Sequence, residues 1–161
     1  MEHVQHTINP IYNEKSNILI LGTFPSVKSR ENKFFYSHPQ NRFWKIIAYI
    51  TNTSPVPSTI DEKKNMLLNN KIALFDVIKS CDITGSSDTS IKNVEPWDLS
   101  IILDSCNIKK VYANGNKAYE LYMKYCYDNL KRSIIKLPST SPANASFNFE
   151  RLLSEWSQIL S

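Results

Sequence analysis

The residues of this chain that could do chemistry crowd into four short stretches. The richest is LGTFPSVKSRENKFFYSHPQNRFW, residues 21–44. Gly22 there would let the backbone approach a ligand closely, and Pro39 suits the first position of a helix. That would place Asn41 in the first helical turn, near unpaired backbone N–H groups and the positive end of the helix dipole. Asn41 could equally just close the loop, since asparagine is common at helix starts. The second stretch is IALFDVI (72–78), an apolar run in which Asp76 is the one acid. A carboxylate so placed needs a partner, whether a lysine, a neighbouring loop or a ligand. The third is LPSTSPANA (137–145), small, polar and stiffened by proline. Its hydroxyls and free N–H groups suit phosphate contacts, although a rigid turn before a helix reads the same way. The fourth, Asn114-Gly115-Asn116, is a natural strand-to-helix turn and is left out of the catalytic set.

These stretches need elements to hold them. Ile18–Leu21, Ile72–Ile78, Lys110–Ala113 and Ser133–Leu137 read as four β-strands. Phe43, Ile46, Ile47 and Ile50 fall on one helical face. Thr59 and Glu62 have the spacing of a capping box for a second helix. Further helices are expected around Leu99–Leu103, after Asn116, and from Phe149 to Leu160, the last strongly amphipathic. Strands alternating with helices imply an α/β fold: a three-layer α/β/α sandwich around a mostly parallel, four-stranded central sheet. Ligands of such sheets bind outside the carboxyl ends of the strands, and all four stretches fall there. With no repeat and no linker, residues 1–161 read as one domain.

Composition narrows the classes. The formal net charge is +4, and between Lys28 and Lys45 five basic residues face a single acid, Glu31. That balance is compatible with a polyanionic partner. Cys81, Cys106 and Cys126 are odd in number and lack the spacing of a zinc site or a disulfide framework, so no metal is expected and a reducing compartment is. No GxGxxG, Walker or GxSxG pattern occurs, and no cofactor is indicated. The N-terminus does not read as a signal peptide and no apolar run would span a bilayer, so a cytoplasmic protein without a membrane partner is expected. A chain of this length can bury its own core, and a monomer is expected.

ILGTFPS, then YSHPQNRFWKII, then LPSTSPANA, in that order and separation, resemble the uracil-DNA glycosylase superfamily. The resemblance is to its hypoxanthine-DNA (deoxyinosine) glycosylase branch, near the mismatch-specific uracil glycosylases, and FDVIKSCDITGSSD looks like the same branch. It implies a monofunctional base-excision enzyme that flips a deaminated base, hypoxanthine or uracil, out of DNA and hydrolyses its N-glycosidic bond to leave an abasic site. It also implies residue roles. The GxNPG asparagine of the mismatch-specific relatives is Phe24 here, a departure from their mechanism that the hypoxanthine branch shares. The catalytic asparagine then falls at Asn41, the aromatic that stacks on the base at Tyr36, and the residue that reads the base edge at Asp76. Phe24 would form another wall of the base pocket, or pack in the core. His38, Arg42, Ser139, Ser141 and Asn144 would hold the DNA backbone. A histidine catalytic in some relatives is Leu137 here.

The chemistry of these groups is consistent with such roles. Extruding a nucleotide costs roughly a few kcal/mol, part of which stacking on an aromatic ring recovers. Asp76 as a carboxylate only accepts hydrogen bonds. It could take the ring N–H of hypoxanthine or uracil, where adenine presents a lone pair. Asn41 cannot act as a base. It could hold a water through its carbonyl oxygen or donate to the base or sugar. His38 could give a proton to the leaving base, orient the loop or touch a phosphate. The departure at Phe24 leaves open an alternative: a non-catalytic protein of the same fold that binds damaged or single-stranded DNA.

Overall fold

The computed structural model describes all 161 residues. In chain order the strands are β1 (Glu2–Gln5), β2 (Ile18–Gly22), β3 (Ile72–Asp76), β4 (Ile78–Ile83), β5 (Lys92–Pro96), β6 (Lys110–Asn114) and β7 (Ile134–Leu137). The helices are α1 (Val27–Asn32), α2 (Phe43–Ile50), α3 (Ile60–Asn69), α4 (Ser100–Leu103), α5 (Asn116–Tyr125), α6 (Tyr127–Leu130) and α7 (Phe149–Trp156).

The expected four-stranded parallel sheet is present, in the order β3-β2-β6-β7. Leu19–Leu21 and all of β3 are buried, which is why they read as unbroken apolar runs rather than alternating ones. Helices flank the sheet. Thr59 starts α3 with a complete capping box, its hydroxyl accepting from Glu62 N–H while the Glu62 carboxylate accepts from Thr59 N–H, both at 3.1 Å. In α7, the Trp156 indole N–H donates to the Pro138 carbonyl at 2.9 Å. That bond pins the start of the loop after β7.

Two sequence expectations need correction. Ile72–Ile78 is not one strand. At Val77 the chain leaves the parallel sheet: Val77 N–H donates to Gly22 O at 2.9 Å, and its carbonyl accepts from Trp97 N–H at 2.9 Å. The chain then continues as β4 in a second, antiparallel sheet of order β1-β4-β5. Second, Pro39 does not open a helix. Helix α2 begins at Phe43, and Asn41 precedes it.

In the parallel sheet the chain passes from β2 to β3 on one side, and then crosses back to β6 on the other side of β2. A crevice forms where strand order reverses in this way. Gly22 is in register with Asp76, and Asn114 with Leu137, so the strand ends form one level floor.

Candidate active site

On that floor lies a cleft of about 600 Å³, lined by the ends of β2, β3 and β6 and by the loops after β2, β4 and β7. Gly22 is required there for space. A Cβ on Gly22 would stand 2.4 Å from Asp76 Oδ1 and 2.7 Å from the Tyr36 hydroxyl. Asp76 is only 3% exposed, and its partner comes from the far N-terminus: His6 Nε2 lies 2.8 Å from Asp76 Oδ2. The tautomer is set by the other ring nitrogen. Nδ1 accepts from Ile8 N–H at 3.3 Å, so the hydrogen sits on Nε2 and His6 donates to the carboxylate. The imidazole is buried among aromatic rings, with centroids of Phe75, Trp97 and Phe24 at 5.1, 5.5 and 6.0 Å, all near edge-on. Asp76 thus keeps one oxygen for His6 and turns the other towards Gly22 and Tyr36.

Tyr36 adopts φ +50°, unusual for an aromatic residue. Its ring stacks on Phe43 at a centroid distance of 4.3 Å, so one face is already occupied. Its hydroxyl is buried without a hydrogen-bond partner. Burial, then the nearby Asp76 charge, push the phenol well above its ordinary titration range, so it keeps its proton. Phe24 is half-buried on the lining, with the Arg30 guanidinium 5.8 Å from its ring centroid.

Asn41 sits just ahead of α2, and its Oδ1 accepts from Phe43 N–H at 2.9 Å. The same Oδ1 accepts from the Thr140 hydroxyl at 2.9 Å. Because a backbone N–H can only donate, the acceptor must be the amide oxygen, and two donors fill its lone pairs. The group Asn41 can offer a ligand is therefore its Nδ2 donor. Thr140, fully buried, also receives Asn114 Nδ2 on its hydroxyl and gives its own N–H to Asn114 Oδ1, both at 3.0 Å. One hydrogen-bonded chain thus joins the first loop, the end of β6 and the last loop.

Ser139 and Ser141 line the cleft, each hydroxyl accepting one backbone N–H at 3.1 Å and keeping its own hydrogen to donate. Gly115, at φ +96°, admits this loop: a Cβ there would stand 3.1 Å from Ser139 Cβ. His38 is exposed at the rim. Its Nδ1 accepts from Gln40 N–H at 3.1 Å, leaving Nε2 as an outward donor.

Arg42 and Asn144 are outside the lining. The Arg42 guanidinium is spent on carbonyls of the last loop, those of Ser141 (2.8 Å), Asn144 (3.1 Å) and Phe147. Asn144 Nδ2 donates to Ser139 O at 3.0 Å. Both hold the loop in shape.

The structure therefore brings Phe24, Tyr36, His38, Asn41, Asp76, Ser139 and Ser141 to one cleft. No three His, Cys, Asp or Glu side chains converge as metal ligands. Sequence reasoning missed His6, which carries no local signal, and Thr140, hidden between two serines chosen for their hydroxyls. It missed Asp88 too, another lining residue. Asn114, 8% exposed, is on the lining, where the carboxyl end of β6 should place it.

Comparison with known proteins finds relatives over most of the chain. The family model of the uracil DNA glycosylase superfamily matches residues 10–160. A hypoxanthine DNA glycosylase of Methanosarcina barkeri is 36% identical over 112 residues, 69% of this chain and 71% of its own. Another, from Methanosarcina acetivorans, is 31% identical over 154 residues, 92% of this chain and 93% of its own. The solution NMR structure of a proposed uracil DNA glycosylase from Methanosarcina acetivorans superposes with a TM-score of 0.81 at 30% identity, covering 95% of this chain and 94% of that one.

Proposed function

The chain belongs to the uracil DNA glycosylase superfamily, and from that membership we propose that it removes hypoxanthine from DNA by hydrolysing the N-glycosidic bond. The observation that carries the choice of base is the buried Asp76 carboxylate at the cleft floor. Its Oδ2 is committed to His6, and the group it can present to a base is an acceptor. Hypoxanthine offers a ring N–H to such an acceptor; adenine offers a lone pair, which the carboxylate repels. The names of the two Methanosarcina relatives support the same base.

In this reading the extruded base enters between Phe24 and the Tyr36–Phe43 stack, recovering on the order of 1–3 kcal/mol of the flipping cost. Glycosidic cleavage leaves positive charge on the sugar and negative charge on the departing base. Asn41 answers the second charge. With Oδ1 held by Phe43 and Thr140, its Nδ2 is pre-oriented as a donor to the base, and a donor fixed before the reaction needs no reorganisation during it. Ser139 and Ser141 donate to the phosphates beside the flipped nucleotide, and His38 Nε2–H does so from the opposite rim. The protein acts as a monomer in the cytoplasm; its self-contained core and its three unpaired cysteines support that.

The test is a cleavage assay on duplexes carrying one inosine or one uracil opposite each normal base, with alkali to break abasic sites. Breaks at inosine are expected. Breaks confined to uracil would overturn the base assignment, and salt-sensitive binding without breaks would favour the non-cleaving alternative.

A further inference from the structure

A hydrolysis needs a group that receives the proton of the attacking water, and the groups described so far are otherwise engaged. Asn41 Oδ1 has both lone pairs filled, by Phe43 N–H and the Thr140 hydroxyl. Asn114 Oδ1 receives Thr140 N–H. His38 Nδ1 receives Gln40 N–H, which leaves that ring a donor at its free nitrogen. Asp76 is bound to His6 at the closed end of the cleft.

One further carboxylate lines the cleft, that of Asp88. It opens a 3-10 turn, Asp88–Ser90, in the loop between β4 and β5. This loop is tied to the first loop of the site: Val27 N–H donates to Ser86 Oγ at 2.9 Å, and Arg30 Nη2 to the Gly85 carbonyl at 2.7 Å. Within it, Thr84 N–H donates to Ser90 Oγ at 2.9 Å. Asp88 itself forms no ion pair and accepts no hydrogen bond through its carboxylate. Its residue is exposed to solvent at the rim, as a group that must meet water and return protons to bulk should be.

We propose that Asp88 is the catalytic base, holding the attacking water against the sugar and taking its proton. The proposal rests on the glycosylase reading above and adds a residue to it. In the step, the water oxygen bonds to C1′ as the C1′–N9 bond breaks, and the bonding pair leaves with the base. One water proton passes to Asp88 and on to solvent, while the departing base takes a proton from solvent. The products are an abasic sugar with a C1′ hydroxyl and free hypoxanthine. The surroundings suit a base. Although the residue as a whole reaches solvent, partial burial raises the Asp88 carboxyl above its ordinary range; Lys117 opposes this and the Asp76 charge adds a smaller push. The charge of Asp88 reaches the buried Tyr36 and Cys81, and both keep their protons across the working range.

The experiment is single-turnover cleavage of an inosine duplex at saturating protein, across mildly acidic to neutral pH. Wild type is compared with Asp88→Asn, Asp88→Ala and Asp88→Glu. In parallel, each protein is titrated with a duplex carrying 2′-fluoro-deoxyinosine, which resists cleavage. Asp88→Asn and Asp88→Ala should cleave about 10²-fold or more slowly, the usual contribution of a general base, while binding the uncleavable duplex as wild type does. Glutamate should restore part of the rate. The wild-type rate should climb as the carboxyl ionises, a limb absent from Asp88→Asn. An Asp88→Asn rate within about threefold of wild type, or a rate lost only together with binding, overturns the proposal. A wild type that cleaves neither inosine nor uracil sinks the glycosylase reading itself, and this inference with it.

Discussion

The two sheets of this molecule contribute differently to one cleft. The parallel sheet is buried along β2 and β3, and its strand ends bring Gly22, Asp76 and Asn114 to a common level. The antiparallel sheet is thin and largely exposed along β1 and β5. It nevertheless delivers His6, whose N–H continues the β1–β4 pairing onto Lys79 O at 2.8 Å, and the loop that carries Asp88. Floor and donors come from the large sheet; the hidden support of the floor and one wall come from the small one. A sheet joined to the core mainly through β4 can still decide what the site is able to do.

The largest expected effect separates chemistry from stability on the large-sheet side. Asn41→Ala should lower single-turnover cleavage of inosine by roughly 10²–10³-fold, the cost typical of losing one pre-oriented donor. The protein should remain folded, because Asn41 caps α2 from outside the helix and Phe43 N–H can be solvated instead. Asn41→Asp should do no better than alanine, since it places an acceptor where a donor is needed. An aspartate variant as active as wild type would show that Asn41 works through its oxygen.

On the small-sheet side the two quantities should move together. His6→Phe keeps a ring among Phe75, Trp97 and Phe24 but removes the donor to Asp76. Leaving that carboxylate without its partner should cost about 2–3 kcal/mol, as for a buried hydrogen bond to a charged group. Urea denaturation would read it, and cleavage should fall in the same variant. His6→Gln, which can still present an N–H, should recover part of both. If His6→Phe keeps wild-type stability and rate, the pair is an ornament of the fold and the comparison between the sheets fails.

Gly22→Ala tests the floor where the two contributions meet. The new methyl would press on Asp76 Oδ1 and the Tyr36 hydroxyl, both locked by buried neighbours. Overpacking of this kind costs about 1–3 kcal/mol. Activity should drop by more than stability does, because the atoms displaced are those that face the base.

The same division explains what was legible in the sequence. Strands β2, β3 and β6 announce themselves because burial on both faces demands apolar residues, and the edge strand β7 still shows Ile134 and Leu137. The capping box of α3 and the amphipathic face of α2 are local patterns that need no partner to be read. The break at Val77 is silent, since IALFDVI is as apolar after the switch of sheet as before it. Strands β1 and β5 are short and polar, and they are strands because β4 is beside them. Pro39 gave a false helix start; it belongs to a turn closed by Asn41 N–H on His38 O, and Asn41 Oδ1 accepts the N–H of Phe43. The family motifs carried Asn41, Tyr36 and Asp76 to the cleft, but nothing local to His6 points to a carboxylate 70 residues away. Arg42 reads as a DNA-backbone contact in the sequence, and only the folded loop shows its guanidinium taken up by carbonyls.

The smallest effect belongs to a place away from the cleft, and it calibrates the others. Thr59→Ala removes the hydroxyl that caps α3, a helix that packs on β3 but does not line the site. Loss of such a cap should lower Tm by about 2–4 °C and leave single-turnover cleavage of inosine unchanged at moderate temperature. The effect has a pH signature. Hydrogen bonds from Thr59 and Ser58 hold the Glu62 carboxyl below its ordinary range. A carboxyl depressed in the folded state stabilises it above the unfolded titration, and that contribution fades as pH falls through the depressed one. The gap in Tm between wild type and Thr59→Ala should therefore be widest near neutral pH and narrow in acid, because protonated Glu62 no longer completes the box. Melting curves of both proteins at neutral and acidic pH would read it. If Thr59→Ala instead cost as much activity as Gly22→Ala, general loosening of the parallel sheet would suffice to explain both, and the special role of the floor atoms would be lost.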